Sequence, residues 1–198
     1  MPSFFSMVGC SLSHSFLRKV GFSMVFLSGG KQCTSRALLA ASLRRYWGDL
    51  VLPKLDKTQQ GKPYFPACPH LHTSLTHSGQ LVLCALSCYP VGVDLELLLP
   101  RRASLPRYAL TPSEFSQWEA QGKSWKVFYR LWTRKEAWCK FTGEGLAPSL
   151  RKNVPETGLN WASYHGETWL ASLCGLEDLP QEICWLDTSK EEDDPWQS

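Results

Sequence analysis

Across the first 30 residues the apolar positions follow neither a helical nor a strand period, except in the run 21–27, which predicts a strand turned by Gly29-Gly30. The next stretch is more regular. Leu39, Leu43, Tyr46 and Trp47 recur at three- and four-residue intervals behind a Thr34 or Ser35 cap, and Gly48 is placed to end this helix in the left-handed conformation. Residues 53–69 turn to Pro, Gly, Gln and Lys and predict a surface loop containing Gly61-Lys62-Pro63. Residues 81–88 and 91–97 are apolar and partly β-branched, and Tyr89-Pro90 between them predicts a hairpin.

Residues 98–107, rich in Arg and Pro, read as a connector between halves of about 100 residues each, 1–100 and 101–198. Thr111-Pro112-Ser113-Glu114 has the form of a capping box with proline at the first helical position, opening a short helix to about residue 121. A longer helix predicted over 124–141 puts Phe128, Trp132, Lys135, Glu136, Cys139 and Lys140 on neighbouring turns of one face and stops at Gly143. Residues 168–174 and 182–186 read as closing strands and 190–198 as a mobile acidic tail.

Composition narrows the class without naming a function. The 198 residues are 43% hydrophobic and 20% charged, which excludes a disordered chain. A net charge of +3 gives no reason to expect nucleic-acid binding, and no window offers the roughly 18 consecutive apolar residues of a membrane span. The eight cysteines contain no CxxC and follow no recognisable export signal, so reduced thiols and a cytoplasmic setting are expected. Met7-Val8-Gly9-Cys10 only faintly resembles a lipobox, because no basic residue precedes it. Most of the nine tryptophans are expected in the core.

The candidate chemistry begins in Val91-Gly92-Val93-Asp94-Leu95-Glu96. Strand alternation sends Asp94 and Glu96 to one face and Val93 and Leu95 to the other. Two carboxylates held about 4 Å apart repel by roughly 4 kcal/mol at an effective dielectric near 20, a cost that a divalent cation removes. Oxygen ligands favour Mg²⁺ over softer ions, and a solvated strand face is the plainer alternative. On the predicted long helix, Glu136 and Lys140 are one turn apart, about 6 Å along the axis, and can face one ligand or simply form a surface ion pair. A zinc site from Cys68, His70, His72, His77, Cys84 and Cys88 is the rival, but their spacing lacks paired knuckles.

Taken together, Gly61-Lys62-Pro63, Leu75-Thr76-His77-Ser78-Gly79, Val91-Gly92-Val93-Asp94-Leu95-Glu96 and Trp132-Thr133-Arg134-Lys135-Glu136-Ala137-Trp138-Cys139-Lys140 resemble, in order and spacing, the surfactin-type branch of the 4′-phosphopantetheinyl transferase superfamily. The resemblance implies an α+β fold of two similar halves related by a pseudo-twofold axis. Each half would be a small antiparallel sheet packed on a long helix, with the site in the crevice between them. It further implies a monomer that moves the phosphopantetheine arm of coenzyme A to a serine of an apo acyl or peptidyl carrier protein, with Mg²⁺ as cofactor. Asp94, Glu96 and Glu136 would bind the ion. Glu136 and Lys140 would be catalytic, with Glu136 or a metal-bound water that it orients as base and Lys140 neutralising or protonating the leaving group. Lys62, Thr76, His77 and Lys135 would contact coenzyme A, and Lys31 and Arg36 its 3′-phosphate. Where the family commonly has Asn-x-Ser-His-Ser, this chain has Ser74-Leu75-Thr76-His77-Ser78, which replaces one amide side chain. Arg101, Arg102 and Arg107 are candidates to meet an acidic carrier helix. A scaffold that binds without catalysing is the other class of reading, and the presence of all three acids and Lys140 argues against it.

Overall fold

The computed structural model describes residues 25–48, 52–146 and 152–191. Within them the order is β1 (Phe26–Lys31), α1 (Ser35–Trp47), β2 (Asp56–Lys57), β3 (Pro63–Tyr64), β4 (His72–Ser78), β5 (Leu81–Ser87), β6 (Val91–Leu97), α2 (Leu105–Ala109), α3 (Pro112–Ala120), α4 (Trp125–Thr142), β7 (Asn160–His165), β8 (Trp169–Gly175) and β9 (Cys184–Trp185). The fold is α+β. The lipobox-like segment, positions 21–24 of the strand expected over 21–27, and the acidic tail beyond 191 lie outside the described residues, and the described part of that strand falls at the start of β1.

Two sheets form, ordered β2-β3-β4-β5-β1-β9 and β6-β8-β7. On β5, Leu83 and Ala85 face Val91, Val93 and Leu95 of β6 and Ala171 and Leu173 of β8, forming the core between the sheets. Val82, Cys84 and Leu86 point the other way, onto Leu38, Leu39 and Leu43 of α1. Both faces of β5 are therefore buried, which is why its sequence is a continuous apolar run. Each fully buried aliphatic side chain contributes roughly 1.5–3 kcal/mol. The layers run α1, first sheet, second sheet, α4.

The helices follow the sequence signals. Thr34 Oγ1 accepts from the Ala37 N–H at the start of α1, and the Gly48 N–H donates to the Arg44 carbonyl at its end. Gly48 has φ +87° but ψ −176°, so it has a positive φ without being left-handed helical. Thr111 and Glu114 form the reciprocal capping box of α3. Gly143, at φ 75° and ψ 10°, closes α4.

Three strand readings need correction. β5 and β6 are not a hairpin: β4 and β1 already occupy both edges of β5, so β6 crosses to the second sheet and pairs with β8. The hairpin is β4–β5, turned at Gly79-Gln80. Gly29-Gly30 is not a turn but lies within β1, where a Cβ on Gly29 would come within 2.6 Å of the Trp185 ring. The loop expected over 53–69 contains β2 and β3 at the sheet edge, with Phe65 buried beneath. In addition, β9 joins the first sheet by pairing in parallel with β1, so each sheet takes a strand from across the 98–107 connector.

Cys68 is disulfide-bonded, contrary to the expectation that every thiol is reduced, while Cys33, Cys84, Cys88, Cys139, Cys174 and Cys184 are free. The absence of CxxC speaks only to cysteines close in sequence. No described helix is long and apolar enough to cross a membrane.

Candidate active site

Two features of β6 build the site. Its free edge is covered by β4, where Ser74 Oγ accepts from the Val93 N–H at 3.0 Å and Ser78 Oγ from the Leu97 N–H at 3.1 Å. These bonds stop the edge from recruiting another strand and fix β6 against the first sheet. Its other device is Gly92, where a Cβ would sit 1.9 Å from the Ala137 carbonyl oxygen. Without a side chain there, α4 lies directly on the strand, and the next two residues of that face, Asp94 and Glu96, meet the helix that carries Glu136 and Lys140.

One ligand oxygen from each of Asp94, Glu96 and Glu136 lies within 4.8 Å of the others. Among the described residues this is the one group of three side chains suited to a metal. Asp94 is 3% exposed. Its Oδ1 accepts from Lys140 Nζ at 2.7 Å and from Thr76 Oγ1 at 3.1 Å, while Oδ2 is buried without a hydrogen-bond partner. Glu96 accepts from Trp132 Nε1 at 3.2 Å and Ser78 Oγ at 3.4 Å, and Arg101 lies 3.6 Å from its Oε2.

Burial raises all three carboxyl groups above their ordinary range. For Glu136, desolvation and repulsion from Asp94 and Glu96 outweigh the attraction of Lys140 and push its pKa up to about 7. Desolvation also raises Asp94 against the opposing pull of Lys140 and Thr76, and Glu96 is raised by desolvation and by Asp94. Crowded carboxylates and an orphaned buried oxygen fit a hard divalent cation, which would fill the open coordination and relieve the repulsion.

The other candidates are distributed around this cluster. Thr76 is in it, and its hydroxyl donates to Asp94 Oδ1 and so orients that carboxylate. Lys62, desolvated and lowered in pKa, donates to the Phe141 carbonyl at 3.0 Å. Together with Lys140, Leu75 and Cys139 it lines a cavity of about 190 Å³. His77 is exposed on the opposite face of β4 from Thr76. Lys31 sits over the Trp185 ring at 5.6 Å, beside a 700 Å³ cleft also lined by Ala37 and Asp187, and Arg36 lies in the first turn of α1.

Lys135 does not share the face of Glu136 and Lys140. It is fully buried, and its Nζ lies 2.5 Å from Glu114 Oε2. A step of one residue rotates it about 100° around the helix, so the expected coenzyme A contact gives way to an ion pair that ties α4 to α3. Trp132, expected in the core, does stack on Phe128 but also serves Glu96, a role its indole N–H hints at only once the partner is known. The zinc alternative does not assemble: Cys84 is fully buried and its thiol is pushed up to about 12 by desolvation.

Residues 90–188 match the 4′-phosphopantetheinyl transferase superfamily. A 4′-phosphopantetheinyl transferase of Bacillus subtilis is 35% identical over 94 residues, which is 46% of this chain and 42% of the relative. The transferase Sfp of Bacillus subtilis strain 168 is 32% identical over 109 residues, 54% and 49% of the two chains. HetI of Nostoc sp. PCC 7120, a 4′-phosphopantetheinyl transferase, is 36% identical over 123 residues, 57% and 51%. The chain spans about half the length of the relatives it matches. The match begins at the strand that carries Asp94 and Glu96 and runs through the helix that carries Glu136 and Lys140, and on that ground the chain belongs to the surfactin-type branch of the 4′-phosphopantetheinyl transferase superfamily.

Proposed function

We propose that this chain catalyses Mg²⁺-dependent transfer of the 4′-phosphopantetheine arm of coenzyme A to a serine of an apo acyl or peptidyl carrier protein, releasing adenosine 3′,5′-bisphosphate. The observation that carries this reading is the meeting of three carboxylates with a lysine around an unpartnered buried oxygen. Family membership supports the reaction class.

Asp94, Glu96 and Glu136 would hold the Mg²⁺ ion. Bound there, it would supply Lewis-acid polarisation of the phosphoryl oxygens and neutralise charge on the departing phosphate. The protein's own groups do the rest. Glu136 accepts the proton of the carrier serine hydroxyl directly or through a water that it orients. The serine oxygen then forms a bond to phosphorus as the diphosphate P–O bond breaks. Lys140, 2.7 Å from Asp94, steadies the negative charge on the leaving bisphosphate. Lys62 lines the same cavity and would contact coenzyme A, with His77, Lys31 and Arg36 reaching its nucleotide phosphates.

In this reading the two sheet-and-helix units are pseudo-twofold partners, and the site lies where β6 of one sheet meets β4 of the other. On the same reading the protein works as a monomer, and a cytoplasmic setting agrees with the six free cysteines among the described residues, with the bonded Cys68 as the exception. Arg101, Arg102 and Arg107, with the exposed Leu99 and Tyr108 alongside, present a basic and apolar surface suited to an acidic carrier helix. Reversing the charges of Arg102 and Arg107 raises the KM for carrier at low salt, and an unchanged KM would remove this surface from the reading.

Incubation with coenzyme A, Mg²⁺ and a panel of apo-carrier proteins tests the activity. Intact-protein mass spectrometry should show an acceptor gaining one phosphopantetheine group, with the gain lost in EDTA. Coenzyme A left intact with every carrier would overturn the proposal.

A further inference from the structure

Of the two proposed ion ligands on β6, Glu96 is the more exposed, its side chain at 20% against 4% for Asp94, and it is held in place by donors from three different parts of the fold. Trp132 Nε1 of α4 donates to Oε1 at 3.2 Å. Ser78 Oγ at the end of β4 donates to Oε2 at 3.4 Å. Arg101, on the connector after β6, stands 3.6 Å from Oε2. Each donor is itself anchored. The Trp132 ring stacks on Phe128 with centroids 6.0 Å apart and planes inclined by 16°. Ser78 Oγ also accepts the Leu97 N–H. Arg101 Nε donates to Tyr129 Oη at 3.1 Å, and that hydroxyl donates to the Leu99 carbonyl at 2.6 Å.

A free glutamate on a strand end samples many rotamers, and fixing one costs conformational entropy. Donors anchored in a packed helix and connector prepay that ordering in the folded chain, so the carboxylate is already aimed when a cation arrives. The two carboxylate oxygens are engaged from different sides, which sets the plane of the group as well as its position.

We infer that Trp132 and Arg101 are positioning residues for the cation site: they act through Glu96, by fixing its carboxylate toward Asp94 and Glu136. This assignment rests on the metal reading of those three acids. At Trp132, phenylalanine keeps an aromatic ring against Phe128 while removing the indole N–H and a part of the ring's packing area. Arg101 provides an independent arm, since its side chain is 51% exposed and lysine there keeps the charge while losing the bond from Nε to Tyr129 Oη that aims the guanidinium.

Titration of Mn²⁺ into the purified chain without coenzyme A, followed by calorimetry, decides the matter. Wild type is expected to bind one ion at the acid cluster, with binding lost in Asp94→Asn. Trp132→Phe and Arg101→Lys, which keeps the positive charge and loses the guanidinium held by Tyr129, should each raise the dissociation constant about tenfold or more while keeping the wild-type circular dichroism spectrum. Wild-type affinity in either folded variant overturns the role of that residue. If Trp132→Phe does not fold, Arg101→Lys alone carries the test. A wild-type chain that binds no Mn²⁺ removes the metal reading itself, a result distinguishable from one in which wild type and variants bind alike.

Discussion

Lys140 Nζ lies 2.7 Å from Asp94 Oδ1, joining the last turns of α4 to the middle of β6 across the layer boundary. The ammonium neutralises one acid of the cluster and leaves the other oxygen of Asp94 open. Charge is thus balanced on one side only. Three carboxylates face Lys140 and the more distant Arg101, so the cluster carries an excess of negative charge that a divalent cation would remove.

This imbalance makes the acids costly to the fold, and the proposed transfer requires them. Glu136→Gln should abolish carrier modification, with a loss of at least about a hundredfold, yet leave the thermal midpoint in EDTA equal to or above that of wild type. Asp94→Ala should abolish transfer as well without unfolding the chain. Carrier mass gain and a melting curve on the same preparations check both outcomes, and retained transfer in either variant with Mg²⁺ present counts against the metal assignment.

The same imbalance sets a pH dependence. Glu136 rises from an ordinary 4.5 to about 7 in the folded chain, so between those values the folded state holds more protons than the unfolded state. Stability of the EDTA-treated chain is therefore greatest below about pH 4.5 as far as this group is concerned, and is lost as pH rises toward 7. Asp94 and Glu96 are shifted in the same direction. Desolvated His72, lowered to about 4, contributes the opposite slope below about pH 6.5, so melting temperatures in EDTA should fall with pH from about 6.5 to 8. The fall should shrink with saturating Mg²⁺ and in Glu136→Gln, and a slope identical in all three would contradict the cause given.

Much of this site is legible in the sequence, because its parts are periodic. Period-two alternation places Asp94 and Glu96 together, and the i to i+4 step places Glu136 under Lys140. Partners distant in sequence leave no such trace. Nothing local distinguishes a strand that turns back on its neighbour from one that crosses to another sheet, so β5 and β6 read as a hairpin although both edges of β5 are taken. Lys135 reads as a ligand-facing lysine because Glu114, its partner, precedes it by 21 residues in another helix. Thr76 was recognisable as a site residue, but only the register of β4 against β6 shows that its hydroxyl serves Asp94.

The Glu114–Lys135 pair gives a stability prediction separate from chemistry. Glu114 Oε2 accepts both Lys135 Nζ and the Thr111 N–H, so removing the lysine leaves a buried carboxylate half satisfied. Lys135→Met should cost about 3–5 kcal/mol, and adding Glu114→Gln should recover most of it, because the amide keeps the bond to Thr111 and carries no charge. Urea unfolding of the two single variants and the double variant measures the coupling. Additive losses would show that the pair is not the reason for the burial of Lys135.

Gly92 offers the strictest test of how the site is assembled. A methyl group there would stand 1.9 Å from the Ala137 carbonyl oxygen and 2.6 Å from the Phe141 nitrogen, both backbone atoms that no rotamer change can move aside. Gly92→Ala must therefore separate β6 from α4, with overpacking that costs typically 1–3 kcal/mol or more. Because Asp94 and Glu96 ride on the strand and Glu136 on the helix, the same displacement pulls the carboxylates apart. The variant should lose both urea resistance and Mn²⁺ affinity, whereas a loss of similar size in the core away from this contact, such as Leu43→Ala under α1, should lower stability while a folded sample still binds Mn²⁺ as wild type does. Equal Mn²⁺ affinity in Gly92→Ala and wild type would mean that the close approach of strand and helix does not set the geometry of the acids.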